Sequence, residues 1–183
     1  MGIPKPPEKA ILFIGALFSS IECYGEAFRT LQETCGEVLM ETPRFPWDYS
    51  DHYKNEMGGP LFKRFMFFRD FIEPDALSGI KLAANELEIK LSTEGKRNIN
   101  LDPGYLTPAK IVLASTKDYS HRIYLKDGIY AETTLIFSKE KEAYVPNINT
   151  YNDYKDERNL KFFLLARELF FLLAKKDRPG PSL

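Results

Sequence analysis

The sequence predicts an α+β fold built on the split βαβ, ferredoxin-like unit, βαββαβ, in which an antiparallel sheet carries two helices on one face. Three observations predict it: strand-like and helix-like segments alternate in that order over residues 10–101, the run at 10–18 is continuously apolar, and Leu77, Ile80, Ala84, Leu87 and Leu91 recur at helical spacing. Further antiparallel strands and a C-terminal helix extend this core. With no internal repeat, low-complexity tract or composition shift, residues 1–183 read as a single α+β domain.

The run at 10–18 fits a central strand covered on both faces. Ser19 and Glu22 have the spacing of a capping box and start a helix that turns Phe28 and Leu31 inward and ends near Gly36. Residues 37–42 read as a second strand. A polar and aromatic connection over 47–59 leads to a third strand at 61–71, with Phe65, Phe67 and Phe71 on one face. Pro74 suits the first turn of the next helix, which Gly95 stops. A fourth strand at 97–101 then meets Asp102-Pro103-Gly104, read as a tight turn that aims Tyr105. Residues 111–115, 121–125 and 129–137 are three further strand-like runs, and a helix at about 156–175 closes the pattern.

The 183 residues are 44% hydrophobic and 28% charged, which excludes disorder. Twenty-five basic residues stand against 26 acidic ones, so no bulk positive field exists to hold duplex DNA. Two cysteines support neither a disulfide framework nor a four-cysteine zinc site, and a reducing cytoplasm fits them best. The 10–18 run has Pro4, Pro6 and Pro7 ahead of it and no small-residue cleavage site behind it, and is therefore no signal peptide. Arg167 and Glu168 interrupt the longest apolar stretch, 162–174, so no membrane span is expected. Its apolar surface is wide for one packed face and makes this helix a candidate surface for homo-oligomers.

Lys126-Asp127-Gly128 fixes the register of one hairpin. A two-residue Asp127-Gly128 turn would set Ile123 opposite Glu132 and mix apolar and charged residues on one face, whereas a three-residue loop with Gly128 in the left-handed bulge position segregates them, setting Ile123 opposite Ala131 and Arg122 opposite Glu132. Ile123, Leu125, Ile129, Ala131 and Leu135 then share one face, and Arg122, Tyr124, Tyr130, Glu132 and Thr134 the other. A guanidinium, a carboxylate and two phenols in close order can grip an anionic or hydroxyl-bearing ligand. The same residues also make an ordinary cross-strand ion pair on a solvated sheet. Residues 81–126 hold eight basic and five acidic residues, whereas the first 80 hold eight and twelve. An anion is therefore expected near Lys110, Lys117 and Arg122, with Asn100, Asp102 and Tyr105 close by.

Chemistry is sparser. Asp118, His121 and Glu132 are the candidate proton-handling groups; His121 falls on the apolar face beside Thr133 and would need an aspartate such as Asp118 or Asp102 to orient its ring. Asp48, His52 and Glu56 recur every four residues and would share one face of a helix as weak metal ligands, although acidic residues in a first turn also serve the helix dipole. No dedicated metal signature is present and the sequence names no cofactor.

The segments Glu56-Met57-Gly58, Asn100-Leu101-Asp102-Pro103-Gly104-Tyr105, Ala114-Ser115-Thr116-Lys117-Asp118, His121-Arg122-Ile123-Tyr124-Leu125 and Gly128-Ile129-Tyr130-Ala131-Glu132 closely resemble a family of uncharacterised prokaryotic proteins catalogued as a domain of unknown function. The resemblance covers about residues 4–154. Several members of that family carry an automatic GTP-binding label. A P-loop needs G-x-x-x-x-G-K-[ST], which is absent here, and Thr116-Lys117-Asp118 lacks the spacer of a guanine-reading N-K-x-D.

Two functional expectations follow. One is a protein or enzyme that binds a small phosphate- or carboxylate-bearing ligand around residues 100–132. The other is a binding module without catalysis, in which Phe65, Phe67, Phe68, Tyr124 and Tyr130 stack single-stranded RNA or dock a protein.

Overall fold

A computed structural model describes residues 2–176; Met1 and residues 177–183, the two ends of the expected domain, lie outside the described residues. Strand β1 (Ala10–Phe18) is followed by helix α1 (Ile21–Cys35) and β2 (Val38–Glu41). Next come β3 (Phe45–Trp47), α2 (Asp51–Met57), β4 (Leu61–Ile72) and α3 (Leu77–Lys90). The chain continues through β5 (Ile99–Leu106), β6 (Lys110–Ser115), β7 (Ile123–Lys126), β8 (Ile129–Ser138) and β9 (Ala143–Pro146) to α4 (Asn152–Lys155) and α5 (Glu157–Lys176).

The strands form one antiparallel sheet in the order β2-β4-β1-β5-β6-β8-β7, with β3 also on β4 and β9 on β8. Its first four strands reproduce the split βαβ order: β4 separates β1 from β2, and β1 separates β4 from β5. Both crossover helices lie on one face. Tyr24, Ala27 and Leu31 of α1 and Ala84 and Leu87 of α3 pack there on Leu12, Ile14, Ala16 and Phe18 of β1. The opposite face is covered by α5, whose Phe163, Ala166 and Phe170 bury Ile11, Phe13, Phe65 and Phe67. A helix layer on each side explains why β1 is buried at every residue rather than at alternate ones.

Several expectations are corrected. The cap of α1 is Ser20, one residue later than expected, because its hydroxyl accepts from the Cys23 amide while Ser19 donates to the Met57 carbonyl. The 47–59 connection contains α2, capped by Ser50. Asp102-Pro103-Gly104 is no turn: β5 runs straight through it, pairing Gly15 with Asp102, Ile14 with Pro103 and Phe13 with Gly104. Pairing with β6 begins only at Gly104, so Pro103 stands where β5 is laddered on one side, a position proline tolerates. Gly104 is required by packing, since a Cβ there would lie 2.5 Å from both the Phe13 ring and the Val112 carbonyl.

The hairpin register is as expected at Ile123–Ala131, but it arises differently. Asp127 and Gly128 both have positive φ and form a two-residue turn, with Lys126 opposite Ile129 and the slip taken up at Leu125. A second irregularity falls in β8 at Thr134, between the Ile111–Leu135 and Val112–Thr133 pairs. It swaps the faces beyond it, so Leu135 joins the core under α5 while Ile129 and Ala131 pack toward α3.

Candidate functional site

Apolar patterning should fill the faces of β4 and α3 with hydrocarbon, yet each carries a charge inside. Lys63 shares the β4 face with Phe65 and Phe67 and is 3% exposed. Lys81 and Glu88 fall in line with Leu77 and Ala84 on α3 and are equally hidden. Burying such groups is costly unless they are paired. Here they meet at β5: Lys63 Nζ lies 3.0 Å from Asp102 Oδ2 and 3.6 Å from Asp153 Oδ2. Lys81 Nζ donates to the Leu101 carbonyl at 2.7 Å and stands 4.0 Å from Asp102 Oδ1. Glu88 accepts the Leu101 amide at 2.6 Å. Arg97 joins them, reaching Glu88 at 3.2 Å, Asn100 at 2.9 Å and both oxygens of Glu56 at 2.7 Å. Asn100 in turn donates to Asp102 at 2.9 Å.

A second array adjoins it. Arg122, on the turn before β7, directs four N–H groups at Glu132, Ser115, the Lys117 carbonyl and the Tyr151 hydroxyl, at 3.3, 2.6, 2.9 and 2.7 Å. Arg122 and Glu132 are both buried, so the pair is no solvated surface bridge. His121 lies off the apolar face and meets Glu132 at 2.5 Å, which makes Glu132, not an aspartate, the group that orients its ring.

These side chains surround two adjoining cavities. The inner one, about 100 Å³, is lined by Trp47, Tyr53, Lys63, Arg122, Asp153 and Tyr154 among others. The outer one, about 290 Å³, is walled by His52, Lys81, Asn85, Glu88, Arg97 and Lys117. Tyr53, Asn100, Asp102, Ser115 and Tyr151 border both, so the two form one cleft at one end of the central strands, crossed by α2 and the segment before α4.

Electrostatics separate the carboxyl groups. Burial alone would raise Asp102, but Lys63 and Lys81 outweigh it and hold its carboxyl below the usual range. Burial raises Asp153 and is only partly offset by Lys63, with Asp102 adding to the rise. Burial likewise raises Glu88 against the opposing pull of Lys81. Lys63 stays firmly charged, since its two aspartates outweigh its desolvation. The Tyr53 phenol, desolvated and near Asp102, is pushed up to about 12 and remains a neutral donor. Carboxyls driven apart in this way, side by side in a cleft, are the arrangement that divides proton-donor and charge-stabilising roles.

Of the residues expected from sequence, Asn100, Asp102, Lys117, Arg122 and Glu132 border the cleft. Lys110 is exposed at the far start of β6, Tyr105 packs toward α3, and Tyr124 and Tyr130 form an edge-to-face pair on β7 and β8. Asp118 is exposed in the loop before β7. Asp48, His52 and Glu56 do not converge, because α2 begins only at Asp51. Asp48 pairs with Lys54, and Glu56 is taken by Arg97. No group of three metal-binding side chains occurs among the described residues. Lys63, Lys81, Glu88 and Arg97 were missed, although the apolar rows around Lys63, Lys81 and Glu88 carried the signal. Nothing before α5 marked Tyr151, Asp153 or Tyr154.

Fold and cleft together define an α+β protein with a buried, mixed-charge pocket at one end of its central strands. The family model for DUF4416, a domain of unknown function, matches residues 8–170, and the chain belongs to that family. Comparison with curated proteins and with solved structures returned no match. No described helix is long and apolar enough to cross a membrane.

Proposed function

We propose that the cleft binds a small ligand with a phosphate or carboxylate end, held in the outer cavity by Lys117 and Lys81. The observation that carries this reading is the gathering of nine acidic and basic side chains, on five separate elements and the segments between them, around one pair of connected cavities. Such an investment of buried charge is costly for stability, and perturbed groups in a cleft favour a functional site. Lys117 is exposed at the rim and Lys81 has used one donor on Leu101, so both retain donors for an incoming anion. Arg122, by contrast, is largely engaged and serves to hold Ser115 and Lys117 in place.

A thermal-shift screen against nucleotides, sugar phosphates and divalent metals tests this reading. A ligand bound only by the native state raises stability by about 2.7 kcal/mol at a hundredfold excess over Kd. The expected result is a shift with phosphorylated or carboxylated compounds that Lys117→Ala and Lys81→Met diminish; a flat screen refutes it.

The alternative, a stacking module for single-stranded RNA, has lost most of its platform, since Phe65, Phe67 and Phe68 are buried. Only Tyr124 and Tyr130 remain at the surface, and filter binding at low salt would detect any contribution from them. Leu165, Phe171 and Leu172 are exposed on α5 and would carry self-association, which light scattering reads directly.

A further inference from the structure

Resting on that anion site, we propose that the inner cavity is the subsite for the hydroxylated part of the ligand, so that the whole cleft takes a short sugar or polyol with a terminal phosphate.

The inner cavity is unsuited to the anionic end. It holds two cations, Lys63 and Arg122, against three carboxyls, Asp102, Asp153 and Glu132. Both cations are already committed, Lys63 to the aspartates and Arg122 to Glu132, Ser115, Lys117 and Tyr151. A phosphate there would face unbalanced negative charge. A hydroxyl group, which donates and accepts at once, matches a wall offering both.

One buried donor marks the place. The Tyr154 hydroxyl, on a side chain 1% exposed, has no hydrogen-bond partner. The Trp47 indole N–H, on the same wall, is within reach of the Asp153 carboxyl. Buried donors are almost always satisfied, so an unpartnered hydroxyl on a residue lining the cavity points to an acceptor that arrives from outside. The same two rings, with Tyr53 and Tyr151, give the apolar C–H face of a sugar an aromatic surface. Size sets the limit. An apolar cavity of about 150 Å³ accepts a benzene ring, so a cavity of about 100 Å³ admits a few hydroxylated carbons and not a purine base. The larger outer cavity then takes the phosphate beside Lys81 and Lys117.

Calorimetric titration with D-ribose 5-phosphate, D-ribose and inorganic phosphate tests the proposal. Ribose 5-phosphate should bind at least about tenfold more tightly than phosphate, the worth of one additional good hydrogen bond. Tyr154→Phe should remove most of that advantage while leaving the melting temperature unchanged or raised, because the hydroxyl is unpaired in the free protein. Trp47→Phe should act in the same direction and serves if the first variant folds poorly. Equal binding of phosphate and ribose 5-phosphate, with Lys117→Ala weakening both, overturns the sugar subsite and leaves the anion site standing. Failure of all three probes overturns both.

Discussion

Lys63 on β4 reaches Asp102 on β5 across the full width of β1, its Nζ 3.0 Å from the carboxylate, and the strand residue it passes over is Gly15. A Cβ on Gly15 would lie 3.0 Å from Lys63 Cε and 3.1 Å from Nζ. The missing side chain of Gly15 is thus what lets a lysine cross a fully buried strand. Gly15→Ala gains about 0.4–1 kcal/mol from a stiffer unfolded chain, but overpacking against the ion pair costs about 1–3 kcal/mol, so a net loss is expected in urea denaturation. In a Lys63→Met background the same change should cost measurably less, since the two positions touch.

Removing the lysine is the harsher change. Lys63→Met leaves Asp102 and Asp153 without their shared counter-ion, and breaking a buried pair costs about 3–5 kcal/mol. A loss below about 1 kcal/mol would mean the aspartates find solvent without it.

The two aspartates give opposite pH signatures. Asp102 titrates below its ordinary value in the fold, so its contribution is present above the usual carboxylate range and is lost as pH falls through the lowered value. Asp153 titrates above its ordinary value, so the fold holds that proton longer than the unfolded chain does. Its contribution is present at low pH and is lost as pH rises through the raised value. Denaturation across pH should show Asp102→Asn flattening the acid limb below about pH 4, and Asp153→Asn flattening the decline above about pH 4.

Arg122 and Lys117 should separate by role. Arg122→Ala removes a buried guanidinium with four hydrogen bonds and is expected to cost about 3–5 kcal/mol. Lys117→Ala, at the exposed rim, should stay within about 0.5 kcal/mol and act on binding alone. Equal melting temperatures for the two variants would contradict the division.

Much of the fold was legible because its signals are local. The apolar run of β1, the i, i+3, i+4 spacing of α3 and the Ile123–Ala131 register of the hairpin each follow from a few residues, although the turn that sets that register is the two-residue Asp127-Gly128 one and not the three-residue loop expected. Asp102-Pro103-Gly104 misled for the same reason: as a tripeptide it favours a turn, and only the long-range ladder to β1 and the close approach of Phe13 and Val112 make it a strand. About half of the cleft was visible. Asn100, Asp102, Lys117, Arg122 and Glu132 sit in one polar stretch, whereas Lys63 and Lys81 stand singly in apolar rows, and only the placement of β1 and β5 beside them gives those charges their partners. Asp153 and Tyr154 reach the site only through the return of the chain after β9, which no short-range pattern encodes.

The most direct test of the cleft as a ligand site is a titration of ¹⁵N-labelled protein with D-ribose 5-phosphate, followed by amide chemical shifts. Perturbations confined to residues 100–102, 115–117 and 151–154, and to Trp47 and Tyr53 across the cleft, are the predicted result. Shifts centred on the exposed face of α5 or on β7, or no shift at millimolar ligand, would contradict the account.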